Sequence, residues 1–309
     1  MSKPLRFNII SQLYPFLVTL CFAVAASLSS CQKELIYNTV VTDRKVEIAF
    51  SDVPYATMST WLFSPYGGQL FYNLPTDRTS TVDAPSSAFN ALCYNDDSDI
   101  NRFEIMSWDR ATVTTGTTEL INRSSFGSTN AEIPRGGAPD EPVLYQPTQL
   151  YADTCSMFTG NKLTFAPKSV LTHIEVVVSN IHNIENAISV SAALSGMSDR
   201  MDLRDLLPKG RACTIPFEME KKDAKFHGEA LSFGHCQKSN NKHVFTIYVM
   251  MKDGQKYYNC YDVTSIFDEN KESKEILVEL DGLNLPESVE SGMGACLDSW
   301  SEIRNEIEL

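Results

Sequence analysis

The amino-acid sequence predicts an all-β protein, built as two tandem antiparallel β-sandwich domains behind an N-terminal signal segment. Apolar residues alternate with polar ones in short segments along most of the chain, and residues typical of turns separate these segments. Long helical periodicity is nearly absent, and no short repeat indicates a solenoid or a propeller. The 309 residues, of which 43% are hydrophobic, are enough for about two domains with ordinary cores.

The first predicted sandwich covers residues 45–160 and follows a tether at residues 31–44. In its first strand pattern Val46, Ile48 and Phe50 share one face, and the turn residues 64–68 separate the next two patterns. Strands are predicted at residues 45–50, 57–63, 69–74 and 87–94, with strand-like pieces at 111–121 and 143–151.

The second predicted sandwich covers residues 161–309. Asp253-Gly254 separates two β-rich segments and predicts a tight hairpin. Short helices are predicted at residues 201–207 and at 264–270, the second capped by Thr264, and residues 297–309 fit either a strand or a helix. Strands are predicted at residues 171–178, 188–194, 226–233, 244–251 and 276–280.

Residues 1–30 have the pattern of a signal peptide. Lys3 and Arg6 precede an apolar stretch at residues 14–26, which is shorter than the roughly 20 residues that a membrane-spanning helix needs. Leu28-Ser29-Ser30-Cys31 resembles the lipobox of bacterial lipoproteins. That resemblance implies cleavage before Cys31, lipid on its sulfur, including acyl chains such as palmitate, and an outer-membrane lipoprotein exposed on the cell surface. An ordinary secretory signal with a chance cysteine is the alternative.

The charge balance argues against nucleic acid as a partner. Lys and Arg number 26 against 39 Asp and Glu, so the formal net charge is −13, and such a surface repels phosphate backbones. Charged residues nevertheless make up only 21% of the chain, which is typical of a folded protein rather than of a disordered acidic tail.

The cysteines after Cys31 have no metal-binding spacing. Strand-like surroundings favour free, buried thiols, and one or two disulfides within the second sandwich are the alternative, which export would permit. These six cysteines are Cys93, Cys155, Cys213, Cys236, Cys260 and Cys296.

No group of residues predicts a reaction, and we expect no catalytic residue and no cofactor. Asn95, Asp97 and Asp99 form a candidate calcium loop, for which a solvated turn is the competing interpretation. His235 and Cys236 are adjacent on a predicted strand, so their side chains point to opposite faces and cannot act as a catalytic pair.

Several motifs resemble one family, the fimbrillin-like lipoproteins of unknown function found in Bacteroidales. The motifs, which cover residues 45–309 in order, are MSTWLFSPYGG, NALCYNDD, LTFAPKSVLTHIEVVVSNI, ALSGMS, YYNCYDVT and ELDGLNLP. The resemblance implies two transthyretin-like β-sandwiches and a lipidated precursor. It also implies core positions for Trp61, Phe63, Ile174, Val176 and Val178.

In some relatives an arginine-specific protease removes the first strand, and a strand of a neighbouring subunit replaces it. By this resemblance Arg44 is a candidate processing site and Arg135 a second one, whereas both are ordinary surface charges in the alternative interpretation.

The function predicted from the sequence is that of a surface-anchored lipoprotein without catalysis, which acts in adhesion or as an anchor or accessory subunit of a pilus. Its expected partners are the outer membrane, through lipid on Cys31, other pilus subunits, through strand addition, and a surface glycan or protein of a host or another bacterium. The alternative is a glycan- or ligand-binding outer-membrane lipoprotein whose loops, around residues 95–99, hold the site.

Overall fold

The computed structural model describes residues 40–127, 131–137, 139–236, 242–287 and 299–303, and these described residues form one compact unit. The described part consists of β-strands with two short α-helices and one 3-10 turn, so the predicted all-β class is confirmed. None of the helices in these ranges is long and apolar enough to cross a membrane. The predicted signal segment and Cys31 lie outside the described residues.

The first sandwich consists of a three-stranded and a five-stranded sheet. In the smaller sheet β1 (Arg44–Phe50) lies in the middle, antiparallel to β4 (Ser80–Ala84) and parallel to β9 (Lys162–Phe165). The larger sheet is antiparallel and contains, in spatial order, β10 (Lys168–Ser169), β8 (Tyr151–Phe158), β5 (Phe89–Tyr94), β2 (Thr57–Phe63) and β3 (Gln69–Pro75).

The core of the first sandwich is filled by alternate residues of these strands. Val46 and Ile48 of β1 are 0% exposed and pack with Met58, Leu62 and Phe89 of the larger sheet. Because apolar residues at i and i+2 point to the same face of a strand, the predicted pattern of residues 45–50 is realised as a buried face. Full burial of such side chains stabilises the fold by about 1.5–3 kcal/mol each.

The second sandwich is one ten-stranded sheet that folds over on itself. Its strands are β6 (Arg102–Ser107), β7 (Arg110–Thr114), β11 (Thr172–His182), β12 (Ala187–Asp202), β13 (Leu207–Lys222), β14 (Lys225–Ser232), β15 (Val244–Met251), β16 (Lys256–Asp262), β17 (Glu275–Asn284) and β18 (Trp300–Glu302). The spatial order is β17-β11-β14-β13-β12-β15-β16-β18, while β7 pairs with β12 and β6 with β7.

A change of partner along β13 joins the two halves of this sheet. Residues 207–218 of β13 pair with β12, whereas residues 219–222 pair with β14. The two halves face each other, since Ile174 and Val176 of β11 pack in one core with Leu194 of β12 and Ile247 of β15.

A long connection, residues 115–149, which we call the strap, packs with its described residues against part of the outer face of the second sandwich. It contains α1 (Arg123–Phe126), and its Phe126 packs with Ala193 of β12 and Tyr248 of β15. Ala193 and Tyr248 alternate with residues of the inner core, which places the strap on the opposite face of the sheet. The strand-like piece predicted at 111–121 is confirmed for residues 111–114, which belong to β7. The rest of it and the piece predicted at 143–151, up to Leu150, are wrong, since the strap forms only isolated bridges there.

Two glycines bring the strap against the sheet. A β-carbon on Gly136 would lie 2.5 Å from Thr246 Oγ1, and one on Gly137 would lie 2.3 Å from Ser195 Cβ. Such distances are too short for any side chain larger than hydrogen, so Gly136 and Gly137 permit a backbone approach that other residues would block.

The hairpin at Asp253-Gly254 is confirmed, since it joins the antiparallel strands β15 and β16. The predicted helix at residues 201–207 is wrong: Met201 continues β12, pairs with Val113 of β7 and is fully buried, so packing overrides local preference. The second predicted helix exists as α2 (Thr264–Glu269), but its N-cap is Val263, and Thr264 Oγ1 instead accepts the backbone N–H of His243.

The boundary predicted near residue 160 stays a prediction, and strands on both of its sides pair across it. β9 and β10 follow residue 160 and belong to the first sandwich, whereas β6 and β7 precede it and extend the second. One apolar cluster contains Phe63 and Leu92 from the first sandwich together with Met201 and Phe233 from the second.

Candidate functional site

Arg44, the candidate processing site, is the first residue of β1. Its guanidinium donates to the carbonyls of Thr159 and Gly160 and lies 5.8 Å from the ring centroid of Phe89. Since Lys45–Phe50 follow as the remaining residues of β1, cleavage after Arg44 would detach the preceding chain and leave the strand in its sheet. Arg135 donates to the carbonyls of Pro139 and Glu141 and so stabilises the local path of the strap.

The hydrogen bonds of Asn95 hold the loop at residues 95–99 in place. Asn95 is buried, its Nδ2 donates to Asp97 Oδ1 (2.6 Å) and to Gln149 O (2.9 Å), and its Oδ1 accepts from Tyr151 N (2.6 Å). The amide of Asn95 is thus used to join β5 to β8. The calcium site at Asn95, Asp97 and Asp99 stays a prediction, and within the described ranges no three His, Cys, Asp or Glu side chains are grouped to hold a metal ion.

The cysteines within the described residues are free, as the strand-like surroundings predicted. They are Cys93, Cys155, Cys213, Cys236 and Cys260. Burial raises the pKa of the Cys93 and Cys213 thiols well above the ordinary value, which suppresses the reactive thiolate. Cys296 lies outside the described residues.

A cleft of about 580 Å³ lies between the strap and the second sandwich. Its floor is Ser191 of β12, one wall is formed by residues 216–218 of β13, and the other is formed by residues 118–123, Tyr145 and Gln146 of the strap. Ile100 completes the lining. This volume falls within the range of about 300–1,000 Å³ that is usual for small-ligand sites.

The cleft exists because β13 leaves β12. Ser191 and Glu218 form the last pair of these two strands, after which β13 turns to β14. A smaller cleft of about 210 Å³ follows along residues 187–190 of β12, and Glu218 lines both clefts. The two cavities therefore adjoin along one strand.

The polar groups of the cleft differ in how they are already used. The side-chain amide of Gln146 is already hydrogen-bonded: its Nε2 donates to Pro216 O and its Oε1 accepts from Leu231 N. Glu119 is paired with Arg123 at 2.8 Å. In contrast, Ser191 is 2% exposed and its Oγ has no hydrogen-bond partner in the described part of the chain.

Two further side chains of the cleft face solvent. Tyr145 is 47% exposed. Glu218 forms no ion pair with any described residue, and partial burial raises the pKa of its carboxyl group. Sequence reasoning missed these residues, because the strap brings together positions from 100 to 218 that no local pattern connects.

A family profile matches residues 29–218, which is more than half of the chain. The chain belongs to that family, Domain of unknown function (DUF5119). The membership in a family of unknown function, indicated by the sequence motifs, is thereby confirmed. No curated protein matches this DUF5119 chain in sequence.

Solved structures similar to this DUF5119 chain include a candidate adhesin and a fimbrial anchor protein. A candidate adhesin from Bacteroides ovatus is 16% identical, has a TM-score of 0.57, and the match covers 78% of this chain and 94% of that one. The fimbrial anchor protein Mfa2 from Porphyromonas gingivalis is 10% identical with a TM-score of 0.45, covering 77% and 90% of the two chains. The first of these matches shows a shared fold.

Proposed function

We propose that this protein is a lipid-anchored protein of the outer cell surface that acts, without catalysis, in adhesion or as an anchor or accessory subunit of a pilus. The shared fold with a candidate adhesin supports the adhesive role, and the lipobox resemblance around Cys31 supports the anchor. A lipid with two or more acyl chains holds a protein stably on a membrane, whereas one chain gives only marginal binding.

The observation that carries the proposal is the position of β1. This strand is paired on both sides, with β4 and with β9, and its Val46 and Ile48 are fully buried. In the described residues of the uncleaved chain, the protein's own β1 fills the middle of the first sheet, so a neighbour's strand finds no vacant groove at that position. Such a subunit suits a terminal, anchoring or free-standing position better than a repeating position in a shaft.

The position in a pilus is tested on native outer-membrane protein, blotted with and without boiling against a serum raised to residues 165–309. We expect one band of the length Cys31–Leu309 after boiling. A ladder that collapses on boiling to a band shorter than this would identify a polymerising shaft subunit and contradict the proposal.

The anchor is tested by Cys31→Ala, which should release the protein from washed membranes. Cys21→Ala is the matched control, because Cys21 lies inside the apolar stretch of the signal and its loss should leave the protein on the membrane. Retention of Cys31→Ala on the membrane would contradict the lipid attachment.

The role in adhesion or in a pilus is tested with a deletion strain, which should adhere less or lose its pili. Unchanged adhesion together with unchanged pili would overturn the proposed role.

A further inference from the structure

We propose that the cleft beneath the strap binds a neutral oligosaccharide chain. This inference rests on the proposed adhesive function and names the class of ligand that the adhesin holds. Its three supports are the two adjoining cavities along β12, an unpartnered hydroxyl at the floor of the main cleft, and the charge of the walls.

The shape fits a short linear ligand. The main cleft of about 580 Å³ and its neighbour of about 210 Å³ share Glu218 and follow β12. A ligand that continued from one cleft into the other would pass Glu218, so this side chain would contact its middle.

The floor of the cleft has an unused hydrogen-bonding group. Ser191 Oγ is buried without a partner in the described residues, although buried polar groups in proteins are nearly always hydrogen-bonded. A ligand hydroxyl can both donate to and accept from a serine hydroxyl, so a polyhydroxylated ligand supplies the missing bond.

The walls combine an aromatic ring, which can pack against the apolar face of a sugar, with carboxylates, which can accept hydrogen bonds from sugar hydroxyls. Tyr145 lines the cleft and is 47% exposed, so its aromatic ring is available for packing against an apolar sugar face. Glu218, which has no ion-pair partner among the described residues, can accept hydrogen bonds from ligand hydroxyls. Glu119 is paired with Arg123, and Lys221 in the smaller cleft balances Glu218, so the combined lining has no excess of positive charge that would attract sulfated, sialylated or uronic-acid chains.

An extended peptide fits less well. Strand addition needs free backbone N–H and C=O groups, whereas β13 residues that line the main cleft are paired with β12, through Ser191–Glu218 and Ala192–Phe217. In the smaller cleft the Lys221 ammonium donates to the carbonyl of Ala187, so part of the strand edge there is occupied as well.

The test uses the mature full-length chain on an array that contains neutral, N-acetylated, sialylated and uronic-acid oligosaccharides, followed by titration of the best binder. We expect binding to neutral or N-acetylated chains. Ser191→Ala should weaken it about 3- to 10-fold, the loss of one hydrogen bond. Tyr145→Ala should weaken it by a similar factor through loss of ring contact.

The matched control is Ser195→Ala on the same strand. Ser195 Oγ is partnered, since it accepts from Val244 N (3.1 Å) and donates to Val244 O (3.4 Å). We therefore expect Ser195→Ala to lower the melting temperature and to leave sugar binding unchanged. Ser191→Ala should do the reverse, with a melting temperature equal to or above that of the wild type.

Two outcomes would overturn the inference: no binding to any neutral or N-acetylated chain, or binding that Ser191→Ala and Tyr145→Ala leave unchanged. Preferential binding of the acidic chains would contradict the charge argument in the same way. If the array is negative while the deletion strain still loses adhesion or pili, only the sugar site fails and the proposed function stands.

Discussion

Mild acid should destabilise the protein through one buried ring, that of His243. The side chain is 2% exposed, stacks on Phe267 with ring centroids 4.6 Å apart, and has its Nδ1 3.3 Å from Ser195 O. Burial, and next the neighbouring ring of His235 with its centroid 5.8 Å away, lower the pKa of His243 to about 4. The hydrogen bond to Ser195 and the more remote carboxylates of Asp268 and Asp262 oppose this shift.

The sign of the effect follows from proton binding. The unfolded chain takes up a proton on this histidine near its ordinary pKa of 6.5, whereas the folded chain keeps the ring neutral down to about pH 4. The contribution to stability is therefore intact above pH 6.5, is lost between pH 6.5 and 4, and is constant below that window. The loss reaches about 2 kcal/mol at pH 5 and about 3 kcal/mol by pH 4.

The assay is urea unfolding at pH 7.5, 6 and 5 for the wild type and for His243→Phe. At pH 7.5 the variant should be less stable by about 1 kcal/mol, because the bond to Ser195 is gone. By pH 5 this difference should vanish or reverse, since phenylalanine does not titrate. A difference that stays constant from pH 7.5 to 5 would refute the reasoning.

His173 provides the control with the opposite sign. Its Nδ1 lies 2.8 Å from Glu275 and its Nε2 3.4 Å from Glu229, and these carboxylates raise the pKa of the ring. Its contribution should be present at low pH and lost as the pH rises through the raised pKa, so His173→Gln should cost more stability at pH 5 than at pH 7.5. The same direction of change in both variants would show that the two effects do not arise from these rings.

Three further predictions concern stability, each measured by urea unfolding at pH 7.5. Ile48→Ala should cost about 2–4 kcal/mol, while Ile188→Ala, at a side chain 54% exposed, should stay within about 0.5 kcal/mol; equal costs would contradict the buried face of β1. Gly137→Val should cost about 1–3 kcal/mol, because its β-carbon would collide with Ser195, and a neutral result would mean that the strap does not lie against the sheet. Asn95→Ala should cost about 2–3 kcal/mol through three lost hydrogen bonds, equally with calcium and with chelator, and a cost seen only with calcium would favour a metal site.

Local features of the fold were predictable because their causes are local. Alternation placed Val46 and Ile48 on one buried face, and Asp253-Gly254 fixed a hairpin between two strands that are neighbours along the chain. Met201 shows the limit of such reasoning. Its segment has a helical pattern, but pairing with Val113, almost ninety positions away in sequence, keeps it in a strand.

The cleft could not be predicted, because its parts meet only through long-range packing. In the sequence, Ser191 is one of several small or polar residues in SVSAALSG, and Tyr145 belongs to a short apolar segment. Neither pattern indicates a binding site. What makes Ser191 notable is that the strap covers it without giving it a partner, and that requires the path of residues 115–149. The glycine pair Gly136-Gly137 is the one signal in the sequence that points to a close approach in this region.

The position of β1 also determines how the molecule would bear a pulling force. A load applied through the N-terminal segment first reaches the fold at Val41, which is hydrogen-bonded to Ser86, and then runs along the axis of β1. The load is then shared among the backbone hydrogen bonds that join β1 to β4 on one side and to β9 on the other. Backbone hydrogen bonds that are pulled along the strand axis share the force and must break together. When a strand is instead peeled from the edge of a sheet, its hydrogen bonds break one after another. Forced unfolding depends on the rate of unfolding rather than on equilibrium stability, so this arrangement favours a long lifetime under tension. A protein tethered in flowing liquid needs that property more than a high melting temperature.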